Sequence, residues 1–417
     1  MIRNATLALG LVASSASQLR LPGLPLGPGE LCLALWLGLS ITGILAGAQV
    51  AATPALQRLS AFWTVFALAL SIGALIGLLV ENPPNVGAMG HDAMAYVLMA
   101  AITCLAAAEP EGQGSLRQTG WFLIGFGNVF LTIQVAIGWG WFNAGSVDPW
   151  YWDRFRGLSE NPNQLALYCA VLGPLAIHLA TTSTQAVARI AGLAGAVMPL
   201  VVGRLTKSDT FVVATFVGFA SFAVLAVRAW LSAPHHSLRY MTAIFVILAA
   251  PLSAIAMLPY AAALATDAEV LALSLAKDKG GEATSQTANL RLQLWSEALR
   301  KGLESGSLGL GPGPHLPQPN VANHQDLPNP FEAHSTLLDL FTQGGLVGVL
   351  ALLWLGGSAA TLALRARLDA LVALIASLAV FSISHFILRQ PVVWFAVTLC
   401  VAAGSARALT APILQRR

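Results

Sequence analysis

Two residues in this chain stand where chemistry is possible, His334 and Arg291. His334 lies in Glu332-Ala333-His334-Ser335-Thr336, where a polar stretch gives way to an apolar run. At the start of a helix the backbone N–H groups favour anions and disfavour imidazolium. A neutral imidazole there is suited to accept a proton near physiological pH. On a helix Asp339 stands five residues on, about 140° around the axis, which makes it a poor orienting partner. Glu332 is nearer in sequence. The bland alternative is a tolerated amphipathic residue at an interface.

Arg291 lies on a stretch whose pattern predicts a helix over 287–303, capped by Ser285 or Thr287 and ended by Gly302. Leu294, Trp295, Ala298 and Leu299 form one apolar arc with Arg291 inside it, while Glu297, Arg300, Lys301 and Glu304 lie opposite. An arginine on an apolar stripe needs an anion, from the protein or from a ligand. The guanidinium fork suits phosphate; a structural salt bridge is the alternative. The following Ser307-Leu308-Gly309-Leu310-Gly311-Pro312-Gly313-Pro314-His315 can turn the chain or present backbone N–H groups to phosphate, but it lacks the Lys and Ser/Thr of a P-loop.

The elements that must position these residues are membrane helices. Of 417 residues, 56% are hydrophobic and 10% charged, against about 25% charged in soluble domains. Mean hydropathy is +0.70. Apolar runs of membrane-crossing length fall near 4–19, 30–49, 60–80, 92–108, 119–139, 162–181, 186–203, 209–229, 240–260, 334–357, 368–386 and 391–411. The expected fold is therefore all-α, a polytopic membrane protein of about twelve transmembrane helices. It forms a single membrane domain over 1–417, with one large outer loop at about 261–333 that contains short helices. Residues 1–19 also admit a signal-peptide reading. Cys32, Cys104, Cys169 and Cys400 all lie in apolar runs and read as core residues.

Charge orients the chain. With both termini inside, the inner segments carry eleven arginines, from Arg3 and Arg58 to Arg416 and Arg417, against Glu109, Glu111 and Asp369. The outer segments hold the other 11 of the 22 bases and 16 of the 19 acids. The large loop then faces outward. A net charge of +3 without a basic cluster gives no indication of nucleic acid. His315, His324 and His334 are not at zinc-ligand spacing, and there is no Gly-x-Ser-x-Gly.

Two further outer segments carry charge. Trp150-Tyr151-Trp152-Asp153-Arg154-Phe155-Arg156-Gly157 precedes Asn161-Pro162-Asn163, where Asn161 can cap the next span. Arginines among interfacial aromatics also suit an ordinary aromatic belt. The turn Gly203-Arg204-Leu205-Thr206-Lys207-Ser208-Asp209 places two cations and an acid at the bilayer boundary. Such charges are costly and often functional. Pairing of Arg204 or Lys207 with Asp209 is the structural alternative.

In order, Arg156-Gly157, Asn161-Pro162-Asn163-x-Leu165-Ala166, Thr206-x-Ser208, Arg291-x-x-x-Trp295, Gly309-x-Gly311 and His334 before Gly344-Gly345-Leu346-Val347-Gly348 resemble the O-antigen ligase/polymerase superfamily of bacterial envelope enzymes. The resemblance spans about residues 150–350. It implies a glycosyltransferase of the inner membrane, with its site facing the periplasm. A glycan would pass from undecaprenyl diphosphate to an acceptor hydroxyl, without metal, nucleotide sugar or other cofactor. The acceptor would be another lipid-linked repeat, for a polymerase of O-antigen or exopolysaccharide, or lipid A-core, for a ligase completing lipopolysaccharide. A protein acceptor is a third choice in the same superfamily.

The resemblance implies His334 as the base and Arg291 as a diphosphate ligand. Arg204, Lys207, Arg156 and Arg154 are further candidates for the diphosphate, and Asn163, Glu332 and Trp295 for substrate contact. The family arginine expected after Ser208 is replaced by Asp209 in this chain, so Arg204 or Lys207 would supply that charge. A carrier of lipid-linked oligosaccharide, such as a flippase, is the competing class. It would line a central pathway with charge, whereas these spans are nearly charge-free.

Overall fold

The computed structural model describes residues 1–21, 26–81, 85–110, 112–142, 145, 147–231, 279–317 and 331–414. The expected span at 240–260, His324, and residues 261–278 and 318–330 of the outer loop lie outside them. The protein is mostly helical. Helices α1 (Ile2–Ala13), α2 (Pro28–Leu45), α3 (Pro54–Val80), α4 (Val86–Ala107) and α5 (Gly112–Gly138) lead to a hairpin of β1 (Trp150–Tyr151) and β2 (Arg154–Phe155). Then come α6 (Pro162–Thr181), α7 (Ala186–Gly195), α8 (Val197–Leu205), α9 (Asp209–Leu231) and α10 (Lys279–Glu304). The chain closes with α11 (Thr336–Arg365), α12 (Asp369–Ser384) and α13 (Pro391–Leu414).

Among the described residues, 8 helices are long and apolar enough to cross a membrane, α7 and α8 together making one of them. This is fewer than the expected twelve. The first run makes a helix only over Ile2–Ala13, followed by a tight turn at Ser17–Leu19, and α12 is also short. The run at 186–203 is two helices, divided at Ala196. The small hairpin departs from the all-helical expectation; its strands pair Trp150 with Phe155 and Tyr151 with Arg154.

Local chemistry sets several starts. Pro54 and Pro162 sit in first turns, where the missing N–H costs nothing. Thr53 accepts from the Leu56 amide and Asn161 from the Asn163 amide, so Asn161 is a cap as expected. The core lies around α6, where Leu165, Val171, Leu172, Leu175 and Leu179 are fully buried. Phe62 and Trp63 of α3 pack on Trp394 of α13, with the two tryptophan rings 4.4 Å apart, and Phe66 packs on Phe62 and Trp63.

Polar bonds tie loops at each end of the bundle. At one end Arg3 pairs with Glu109, Arg117 reaches Ser183, and Arg58 reaches Ser405. At the other, Ser17 meets Gln164, His315 meets Glu81, and Thr336 meets the carbonyl of His385. Both expected site residues belong to this second end.

Helix α11 is broken at Gly345 (φ 61°, ψ −161°), and the Ser307–Gly311 segment is docked in the break. Leu310 and Gly311 donate to the carbonyls of Thr342 and Gln343 at 2.7 and 2.8 Å, and Leu346 donates to the carbonyl of Ser307 at 2.9 Å. Carbonyls and an amide freed by the break are thus satisfied by another segment, the condition for non-helical backbone at membrane depth. These two loop amides are spent on α11, so of the two readings of this segment the structural one fits them. A Cβ at Gly345 would lie 2.2 Å from the Ser307 carbonyl oxygen. Gly345→Ala should therefore lower stability by about 2–4 kcal/mol, whereas Gly357→Ala, with open space around it, should be near neutral. Thermal melts of the purified variants check this.

Candidate active site

Helix α10 begins earlier than expected, at Lys279, so 285 and 287 are inside it rather than capping it. It also runs past Gly302, which lies against the Phe341 ring. Leu294 and Ala298 are buried against Leu316 and Ala333, but Leu299 is half exposed and is not part of the contact face. The Trp295 indole N–H donates to the carbonyl of Ala333 at 3.1 Å. Leu316 and Phe331 exchange backbone hydrogen bonds at 3.0 and 2.7 Å. The segment leading to His334 is thereby held on both sides.

His334 itself is not the first helical residue. Helix α11 starts at Thr336 with Ser335 as its N-cap, and His334 precedes it in a left-handed conformation (φ 52°). That conformation is uncommon for a non-glycine residue and persists where the surroundings enforce it. Asp339 enforces it here. Its Oδ1 accepts from the Ala333 amide at 2.6 Å and its Oδ2 from the Ser335 amide at 3.0 Å. One buried carboxylate grips the backbone on either side of the histidine. The helical-wheel argument against Asp339 as an orienting partner does not apply, because it acts on the backbone and not on the imidazole.

Around His334 stand four more ionisable groups. Glu332 pairs with Arg389, which donates from its other nitrogen to Asp92 Oδ1 at 3.1 Å. Asp92, on α4, is almost fully buried and also lies 3.1 Å from His91 Nδ1. His385, in the turn after α12, is crowded by the same cluster. Burial, then the fields of Arg291, His334 and Arg154, pushes its pKa down to about 4. His334 is likewise held below the usual 6.5 by burial, opposed by Glu332 and assisted by Arg291 and Arg389. His334 nevertheless remains exposed. Both shifts favour the neutral imidazole.

Arg291 has no carboxylate partner among the described residues. Arg154 donates to the carbonyl of Thr206 at 3.0 Å and to Asn163 Oδ1 at 2.8 Å, so it reaches the cluster from the hairpin with its position fixed. The other expected cations are placed differently. Arg156 is held by Asp148, at 2.9 and 3.0 Å, and by the carbonyl of Glu160. Lys207 pairs with Asp153 at 2.7 Å, not with Asp209. Arg204 is exposed at the end of α8. His315 is enclosed between Glu81 and the carbonyl of Gly311, at 3.0 and 2.8 Å.

Arg389, Asp92 and His385 were not singled out from sequence, and Asp339 was set aside. Arg389 and His385 lie in a six-residue link between two apolar helices, where any charge is expensive. Asp92 is an acid within an apolar run. Both signals were present in the sequence.

The fold and this cluster define a multi-pass helical membrane protein with a neutral histidine among arginines at one end of the bundle. Residues 194–353 match the family model described as O-Antigen ligase, which bears out the resemblance to the O-antigen ligase/polymerase superfamily over the segment carrying Arg291, Glu332, His334 and Gly345. No curated protein matches the chain.

Asp339→Ala should cost about 2–5 kcal/mol, because two buried amides lose their acceptor. Chemical denaturation or thermal melting of the purified variant checks this; Asp339→Asn, which keeps one acceptor oxygen, should recover part of the loss.

Proposed function

We propose that the protein is a glycosyltransferase that moves a glycan from undecaprenyl diphosphate to an acceptor hydroxyl on the periplasmic side of the inner membrane. The observation that carries this reading is a neutral His334, fixed by Asp339, beside an arginine without a carboxylate partner among the described residues. The match to the O-Antigen ligase model supports the class of reaction.

In this mechanism the acceptor oxygen attacks the anomeric carbon of the donor. Its proton passes to the imidazole of His334, a neutral group able to take it. The bond between the anomeric carbon and the diphosphate oxygen breaks, and its electron pair leaves with the diphosphate. Arg291 and Arg154 stabilise that developing charge from positions set before the reaction. The products are the new glycoside, undecaprenyl diphosphate and imidazolium, which returns its proton to water. A single displacement inverts the anomeric centre, so the product linkage is opposite to that of the donor. Glu332 raises the basicity of His334 against the effect of burial, from its place beside Arg389. Arg156 and Lys207, each held by an acid, are assigned to the architecture of the hairpin and turn.

Purified protein with an undecaprenyl-diphosphate oligosaccharide and chelator should make a ladder of lipid-linked products if it is a polymerase, or transfer only when lipid A-core is added if it is a ligase. His334→Ala and Arg291→Ala should each lower turnover by at least about 100-fold. Full turnover in both variants, correctly inserted, would remove the proposed site.

A further inference from the structure

The hairpin that delivers Arg154 also builds an aromatic surface that the transfer mechanism does not use. Tyr151 and Trp152 stack with ring centroids 5.3 Å apart and planes 17° from parallel. The guanidinium carbon of Arg156 lies 5.5 Å from the Tyr151 ring centroid, and Arg156 is itself anchored to Asp148. Trp152 occupies a left-handed turn position (φ 56°) and is 87% exposed. Beside it, Asp153 and Lys207 form an exposed ion pair. We propose that Trp152 is a sugar-stacking platform, which binds a pyranose ring of the glycan close to the transfer site.

The physical case rests on three features. First, the indole is already stacked on Tyr151 across a two-residue turn before any ligand arrives, so part of its side-chain entropy is spent in advance. Second, its open face meets the chemistry of a pyranose: the apolar C–H face lies on the ring, as aromatic side chains favour where one side is apolar and the other wet. The hydroxyls then reach Asp153 as acceptor and Lys207 as donor. Third, the hairpin that carries Trp152 also carries Arg154, which is bonded to Thr206 and Asn163 and whose field reaches His385. Trp152 is flanked by Asp153, Lys207 and the braced Arg156, polar groups suited to a sugar's hydroxyls; the same flanks suit a belt residue at the headgroup level, and quenching by lipid separates the two. Trp139, Trp141 and Phe142, at the end of α5 and also exposed, fit the belt better.

This inference depends on the proposed function for the identity of its ligand, but its test needs no turnover. Full-length protein in lipid nanodiscs is titrated with gluco-, galacto-, manno- and rhamno-configured oligosaccharides, and tryptophan emission is followed. At least one series should bind, with affinity reduced about tenfold, or 1.4 kcal/mol, in Trp152→Ala and largely retained in Trp152→Phe. His334→Ala should bind as wild type does, which separates this site from the proposed chemistry. In parallel, nanodiscs with brominated acyl chains should remove the same absolute emission from wild type and Trp152→Ala, so that the quenched fraction is no lower in the variant. Equal saccharide binding by wild type and Trp152→Ala across every series, or emission from Trp152 that the brominated lipid removes, would overturn the proposal and make Trp152 a membrane anchor.

Discussion

The arrangement depends on one buried carboxylate. Asp339 takes hydrogen bonds from the amides on both sides of His334, the direct restraint on a left-handed histidine in front of a helix. The helix supplies the carboxylate one turn in, so its start and the pose of the histidine are a single structural event. Trp295, bonded to the carbonyl of the same Ala333, transmits the position of α10 to that point. The Arg389 bridge between Asp92 and Glu332 ties α4 and the link after α12 to it.

This geometry has an electrostatic result. The fields of Arg291, Arg154 and Arg389 meet at His334 and His385, where partial burial reduces water-like screening. Arg389 is balanced by two acids, whereas Arg291 has no carboxylate partner among the described residues. Such a site favours an anion and disfavours imidazolium. The two effects serve the proposed reaction together: the leaving diphosphate is stabilised, and the histidine remains able to accept a proton. The broken helix α11 is part of the same design, since the Ser307–Gly311 segment that fills the break leads back to α10.

Much of this was legible in the sequence. Most helices followed from the length and apolarity of their runs, and His334, Arg291 and Trp295 do meet around one segment. What the sequence hid was mostly long-range. Asp339 was set aside because a helical wheel describes side chains, whereas its partners are backbone amides outside the helix. Arg389 and Asp92 are 297 residues apart, and no local pattern pairs them. The Gly309-x-Gly311 segment invites a phosphate-loop reading, because Gly-rich backbone is permissive in either role. Only the carbonyls exposed at Gly345 decide between them. Lys207 and Asp209 are neighbours in sequence, yet the turn (Lys207 φ 49°) sends the lysine to Asp153.

The central claim is that His334 acts as a neutral base whose affinity for protons is set by burial, Glu332 and the arginines. The pH dependence of kcat/KM for glycan transfer tests it most directly, in wild type and in Glu332→Gln. Because His334 titrates below 6.5, the rate should hold through neutral pH and fall only as the pH drops below that value. Removing the Glu332 charge, which supports the imidazolium, should move this limb to still lower pH. An acid limb at or above 6.5, or one that stays in place or moves upward in Glu332→Gln, would contradict the account.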